Sequence, residues 1–464
     1  MRSGSWAARP IAHDPGGPAT RSGGSWIDRV AIAAFVLGLL VLAFGYGFLA
    51  GTRQLWPHEQ VGRLGEAAEA FYKAYLQPAS RATAGLALAA RDDRAGASAH
   101  DPGRTAPGVT FLTLYTPEGF EGRLVDRDGK VLHRWYARHG VVFPNPAHLL
   151  WKAPDEFIVW HGAHLYPNGD ILLNFQDKSF PYGGGLVRLD KNSNVLWALP
   201  ANTHHDIVVD EDGTIVVPSM RYRPEGLPGF PHLKPRYYED TVLRVSPTGE
   251  VLGETSVLRS LLNYPGLLSI NYGEDLGLEA EDVTHLNAAE PLPAALADRF
   301  PMFAPGDLLV SLRNIDTIAV IDPRTERTRW APTGPFAKQH DPDWLPNGHI
   351  MVFDNAGGDP ACGASRILEI DPATQAIVWS YDGCTGPRFD SNIRGIQQQL
   401  ANGNLLVTEA TGGRVFEITR EGQIVWEYVN GLGEIDGQRR VGLVTHAERF
   451  PADALTFLSP PVDQ

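Results

Sequence analysis

The chain has 464 residues, with 40 Lys+Arg against 54 Asp+Glu and a net charge of −14. That balance argues against a surface that tracks nucleic-acid phosphates, which needs a basic excess. Hydrophobic residues at 43% exclude disorder over most of the length, and two cysteines exclude a disulfide scaffold or a Cys-rich zinc site.

In chain order, residues 1–29 read as a cytoplasmic tail carrying Arg2, Arg9, Arg21 and Arg29. Residues 30–50 (VAIAAFVLGLLVLAFGYGFLA) hold no charge and suffice for one transmembrane helix across a core of roughly 30 Å. The basic residues ahead of this run, against Arg53 alone close behind it, predict a cytoplasmic amino terminus and a bacterial inner-membrane protein whose remaining bulk is periplasmic. The competing reading is a cleaved signal peptide, although the apolar run is longer than is usual for one. Residues 51–108 are expected to form a helical stalk, from apolar positions at helical spacing over 55–76, followed by a mobile linker rich in Ala, Gly, Arg, Asp and Pro. Residues 109–464 form the expected folded domain.

Within that domain a hairpin recurs six times, often ending in Trp, as in RLVDRDGKVLHRW to Trp135, LEIDPATQAIVW to Trp379 and FEITREGQIVW to Trp426. A second hairpin, with Asn-Gly or Asp-Gly at its turn in four copies, precedes five of these, turning at Gly169, Gly213, Gly306, Gly348 and Gly403. Such pairs suit two-residue turns needing positive φ. Two hairpins per unit make four strands, and repetition of four-stranded units predicts an all-β fold, a six-bladed β-propeller. VGLVTHAERF at the end would close the ring against the first three strands.

Counting eight residues back from the turn glycine reaches His161, His205 and His340. The third copy offers His285 at the equivalent strand start, the fifth has Arg394 and Gly395, and the closing strand carries His446. Equivalent positions of inner strands converge on one mouth of a propeller, so these side chains are expected to share a site. The returning strands bring Arg313 and Asn355 to the same mouth, and Arg313 is the one cation among the equivalent positions. Imidazoles with a guanidinium suit a tetrahedral oxyanion, and a neutral imidazole there can act as a nucleophile. The candidate catalytic set is His340, His205, His285 and Arg313; His161, Arg394 and Asn355 are candidate substrate-binding residues, with His161 and Arg394 at the rim. Strand alternation turns His204 away from His205. The competing reading makes the His-Asp pairs at 205–206 and 340–341 ties between blades.

The segments THHDIVVDEDG, DVTHLNAAE with DLLVSLRN, and QHDPDWLPNGHIMVFDN resemble the bacterial arylsulfate sulfotransferase family over roughly residues 109–450. The resemblance implies a six-bladed propeller that moves a sulfuryl group from a phenolic sulfate donor to a phenol acceptor with no nucleotide donor. It implies His340 as the transiently sulfated nucleophile, with His205, His285 and Arg313 holding the sulfuryl oxygens and assisting proton transfer. No cofactor is expected. The chain departs from the family's periplasmic members in having a membrane anchor where they carry an amino-terminal β domain, which leaves the oligomeric state open, and in insertions at 221–240 and 290–305. Two other functions fit the same residues: a metal-dependent hydrolase or lactonase with His205, His285 and His340 as ligands, or a non-catalytic binding propeller at the membrane. Finally, Cys362 and Cys384 oppose each other across the hairpin turning at Pro372 to Gln375, which predicts a disulfide outside the cytoplasm.

Overall fold

A computed structural model of the chain describes residues 26–53, 55–57, 85–149, 154–177, 182–225, 237–264, 282–384 and 388–458. Residues 1–25 of the tail, most of the expected stalk helix and part of the 221–240 insertion lie outside them. The chain divides into two compact units, Met1–Ala79 and Ser80–Gln464.

In the first unit, Trp26–Arg53 is a single α-helix of 28 residues. Its segment Arg29–Arg53 is long and apolar enough to cross a membrane.

The second unit is mostly β-strand. Its described residues include six antiparallel sheets of four or five strands and a small three-stranded sheet. Sheet I joins Val444–Phe450 to Val109–Thr116, Gly119–Val125 and Val131–Tyr136, so the end of the chain completes the first sheet. Sheets II and III begin with Val159–Leu165 and Val208–Val209, sheets IV and V with Leu286–Pro291 and His340–Trp344, and sheet VI with Ile396–Gln399. The middle strands, such as Ile171–Gln176 and Leu405–Glu409, are buried along their whole length. Their near-continuous apolar runs follow from being covered on both faces.

Separate apolar cores lie between consecutive sheets. One packs Phe353 of sheet V and Phe389, from the connection between sheets V and VI, on Phe416 of sheet VI, and another packs Trp426 and Leu406 of sheet VI on Leu112 and Val444 of sheet I. With the cores between I and II, II and III, III and IV, and IV and V, the sheets form a closed cycle. Packing of this kind leaves each inner strand paired on one side only, as a short, protected edge.

The recurring Trp on the fourth strand is a tie to the next sheet. The indole N–H of Trp135 donates to Gly169 O, that of Trp197 to Pro247 O, that of Trp379 to Arg420 O and that of Trp426 to Arg127 O. Each bond links one sheet to a hairpin of its neighbour. The hairpins themselves differ from the two-residue turns expected. Gly213 N bonds Asp210 O while Asp210 N bonds Thr214 O, and the same pattern recurs around Gly169, Gly348 and Gly403. These are three-residue loops with glycine in the left-handed position, φ 82° to 89°.

The expected linker is ordered over part of its length. Ala87–Ala89 pairs with Gln438–Gly442, and Gly96–His100 adds a fifth strand to sheet VI. Arg91 and Arg94 reach from this segment to the buried carboxylates Glu409 and Glu427. Edge pairing and two ion pairs, rather than an apolar alternation, hold it, which is why its composition carries no strand signal.

Cys362 and Cys384 form a disulfide, with Cα atoms 4.8 Å apart. The ladder pairs Ile367 with Tyr381 and Glu369 with Trp379. The bridge therefore sits beyond the strand ends and joins the loops leading into and out of that hairpin.

Candidate active site

The inner strands of sheets III to VI are each preceded or entered by a non-glycine residue in left-handed backbone conformation: His205 (φ 57°), His285 (φ 51°), Asp341 (φ 50°) and Arg394 (φ 59°). Such residues cost of order 1–3 kcal/mol each and gather at functional sites. The kink also ends strand alternation. His204 and His205 consequently bond each other, Nδ1 to Nδ1 at 2.8 Å, instead of facing opposite ways.

The imidazoles converge. The ring of His205 lies 4.5 Å from His161, 5.1 Å from His285 and 6.5 Å from His340, centroid to centroid. Tyr182 packs its ring edge against His285 at 5.2 Å and His205 at 6.1 Å. Arg313 starts a 3-10 turn at the end of Leu308–Leu312, and its backbone N–H donates to His285 O. Arg394, half-buried, approaches from sheet VI. His161 and His205 are buried, so His161 belongs to the interior of the cluster and not to its rim.

His340 is held most completely. Its Nδ1 lies 2.7 Å from Asn355 Oδ1 and 3.1 Å from Lys338 O. Asn355 cannot be turned over, because its amide nitrogen donates to Ser391 O and Arg394 O, both at 2.6 Å. Two oxygen acceptors on Nδ1 require a proton there, which leaves a lone pair on Nε2. Burial, reinforced by the charges of Arg313 and His285, pushes the His340 imidazole down to about 3. It is a neutral base at any physiological pH.

Its neighbours are shifted in the same direction. Burial drives His204 down to about 3, and drives His161 and His205 well below the usual imidazole range, with Arg394 adding to the effect on His161. Burial also lowers Arg394 itself to about 10. His285 differs in chemistry: its Nδ1 is 2.5 Å from Asp282 Oδ2.

Beside the histidines lie buried carboxylates, of which the sequence singled out Asp206 and Asp341 but not Glu290 or Asp343. A cavity of about 20 Å³, room for about one water, is bounded by His161, Asp206, His340, Asp341 and His446. Asp341 Oδ2 accepts from Gln397 N and Asp343 Oδ2 from the Gln397 side chain, so these residues tie sheet V to sheet VI. Asp206 accepts from Ile207 N and Glu290 from Trp344 N. Asp206 and Asp341 thus do not pair with the histidines beside them. Tyr182 follows a stretch with no repeat register, and Asp282 lies one helical turn's spacing before His285, a signal available only once the loop is known to fold back.

A three-histidine metal site does not fit. Among the described residues, the one group of three His, Cys, Asp or Glu ligand atoms mutually within 4.8 Å is Asp359, Cys362 and Cys384, whose sulfurs are bonded to each other.

A sequence model of the arylsulfotransferase (ASST) family matches residues 162–431. No curated protein matches the chain in sequence. Among solved structures, a protein of unknown function from Bacteroides caccae is 14% identical, with a TM-score of 0.45 over 70% of this chain and 94% of that one. The virginiamycin B lyase of Staphylococcus aureus is 12% identical, with a TM-score of 0.34 over 57% and 69% of the two chains. The WD40 β-propeller domain of Doa1 is 11% identical, with a TM-score of 0.39 over 78% and 95%.

Proposed function

The chain belongs to the arylsulfotransferase family, and on that premise we propose that it transfers a sulfuryl group from a phenolic sulfate ester to a phenol through a sulfated His340. The observation that carries this reading is the fixed tautomer of His340. Its Nδ1–H is committed to Asn355 and Lys338, and its Nε2 lone pair is free in a cluster whose permanent charges, Arg313 and Arg394, are positive.

Each half-reaction then has a balanced course. Nε2 of His340 attacks sulfur, the bond from sulfur to the aryl oxygen breaks, and the electron pair leaves on the phenolate. The positive charge that develops on the His340 ring is stabilised by the two oxygens on Nδ1. Arg313 and His205 supply donors for the sulfuryl oxygens, where a planar fork outperforms a point charge. In the second half a phenol oxygen attacks the same sulfur, the electron pair returns to Nε2, and the phenolic proton released balances the one that the departing phenolate takes up. No nucleotide enters this cycle. We read the six sheets as blades of one propeller, the Trp26–Arg53 helix as a single membrane anchor, and the basic residues before it as keeping the amino terminus cytoplasmic and the propeller outside.

The test uses the full-length chain in detergent. With 4-nitrophenyl sulfate and phenol, 4-nitrophenol and phenyl sulfate should form in equal amounts. With donor alone, acid-labile sulfate should appear on the peptide carrying His340 and be absent from His340→Ala. Sulfation at another residue, or hydrolysis without transfer, would overturn the reading.

A further inference from the structure

His285 has a carboxylate on its ring, and that carboxylate has a second one behind it. Asp282 Oδ2 lies 2.5 Å from His285 Nδ1, with side chains 4% and 10% exposed. Asn314 Nδ2 donates to Asp282 O at 2.7 Å, which fixes the loop on the turn that presents Arg313. Asp240, from the middle strand Tyr237–Val245 of sheet III, is buried and accepts from Leu286 N at 3.0 Å and from Thr284 Oγ1. It is therefore bonded to the residues on both sides of His285. Among the described residues, the remaining oxygens, Asp240 Oδ1 and Asp282 Oδ1, are buried without a hydrogen-bond partner. Two carboxylates closed off from water cannot both stay ionised cheaply.

We propose that Asp282, with Asp240 behind it, is the positioning device that makes His285 the proton carrier of the transfer cycle. The proposal rests on the sulfuryl-transfer reading and adds a division of labour to it. Asp282 commits Nδ1 of His285 to its proton, so the exchangeable position is Nε2. When the donor's S–O bond breaks, His285 as the imidazolium gives its Nε2 proton to the departing phenolate and becomes neutral. When the acceptor attacks, its phenolic proton goes to Nε2 and the imidazolium re-forms beside the Asp282 anion. One proton leaves and one returns per turnover. Of the other groups facing His285, His204, His205 and His340 are neutral rings and Arg313 does not release a proton, while the Tyr182 hydroxyl is turned to Asp282 Oδ2, to which it donates at 3.5 Å. Burial and the Asp282 charge push Asp240 up to about 7, so a second negative charge appears behind the pair only as pH rises through neutrality.

Protonation of a leaving group matters in proportion to how badly it leaves. Single-turnover sulfation of full-length protein should therefore be measured with phenyl sulfate, whose phenol has a pKa of about 10 like tyrosine, and with 4-nitrophenyl sulfate, a much better leaving group. Asp282→Asn should slow the first by about 100-fold and the second by less than about tenfold. An equal loss with both donors would reduce Asp282 to a structural role and overturn the proposal. For Asp240→Asn the readout is the pH profile. In the unsubstituted protein the donor half-reaction should slow, and the acceptor half-reaction quicken, as pH passes about 7, because the Asp240 anion holds the proton on His285. That step should vanish in the variant; its persistence would remove Asp240 from the device. A downfield proton resonance from His285 Nδ1–H, lost in Asp282→Asn, reports the pairing independently of turnover. Absence of transfer by the unsubstituted protein would defeat the functional reading itself, whereas transfer without leaving-group selectivity would defeat this inference alone.

Discussion

Replacing Asn355 by leucine tests the link between packing and chemistry at one atom group. Asn355 is fully buried and makes three hydrogen bonds, to His340 Nδ1 and to the carbonyls of Ser391 and Arg394. Leucine removes all three but not with equal effect. Ser391 O keeps the hydroxyl of Ser365 at 3.2 Å, and His340 Nδ1 keeps Lys338 O at 3.1 Å. Arg394 O loses the Asn355 donor. One orphaned buried carbonyl costs about 1–3 kcal/mol and two weakened bonds about 0.5–1.5 kcal/mol each, so the expected loss of stability is about 2–6 kcal/mol. That is a sizeable part of a typical total of about 5–15 kcal/mol, and the protein should still fold. The chemical effect is larger. The His340 ring loses the shorter of its two acceptors, so its orientation loosens and its developing positive charge is less well met. Loss of such a preorganised group typically costs about 10²–10³ in rate. The assay pairs denaturant unfolding with single-turnover sulfation of His340. A drop in stability of the expected size with an unchanged sulfation rate would show that Asn355 only ties sheet V to sheet VI, and the argument from the His340 tautomer would fail.

Three further outcomes follow from separate contacts. Arg313→Met removes a positive charge that disfavours protonated His340, so the His340 pKa should rise from about 3 and the acid limb of the sulfation profile should move to higher pH; an unmoved limb would place Arg313 outside the site. Arg414→Met removes the buried one of two guanidinium partners from each of Glu409 and Glu427, which Arg414 holds at 2.6 and 2.9 Å while Arg91 and Arg94 remain, and should cost up to about 3 kcal/mol in a denaturant titration, with a loss under about 1 kcal/mol counting against a buried ion-pair network. Reduction of the Cys362–Cys384 bridge, which spans 22 residues, should cost about 3 kcal/mol by the chain-entropy relation; two alkylatable thiols in the native oxidised protein would contradict the bridge.

The strand repeat is legible because its signals are local. A glycine in a left-handed loop position and a tryptophan on a fourth strand can each be seen in a short window of sequence, and both have a definite role here: one closes a hairpin and the other reaches the next sheet. Site residues at strand starts are legible for the same reason. What escapes is set by tertiary contact. The 87–100 segment is held by ion pairs to residues more than 300 positions away. The relation of His204 to His205 cannot be read from alternation, which fails where φ turns positive. Asp240 and Asp282 are brought together by different parts of the chain, and no periodicity in either segment reports it.

The axial carboxylates resolve an apparent conflict between a chain of net charge −14 and a site for an anionic ester. Asp206, Glu290, Asp341 and Asp343 lie just beyond the histidines, and four full negative charges there would repel a sulfate. Burial pushes all four above the ordinary carboxylate range, and neighbouring carboxylates push Glu290, Asp341 and Asp343 further still. The same burial pushes the histidines below theirs. Both shifts drive their groups toward neutrality, so the permanent charges of Arg313 and Arg394 dominate the field that a sulfate ester meets. Within the cluster, the carboxylate in contact with a ring is Asp282, on Nδ1 of His285. An anion site inside an acidic protein is compatible with this burial, which suppresses ionisation of the acids while guanidinium groups, even at a pKa of about 10, stay charged.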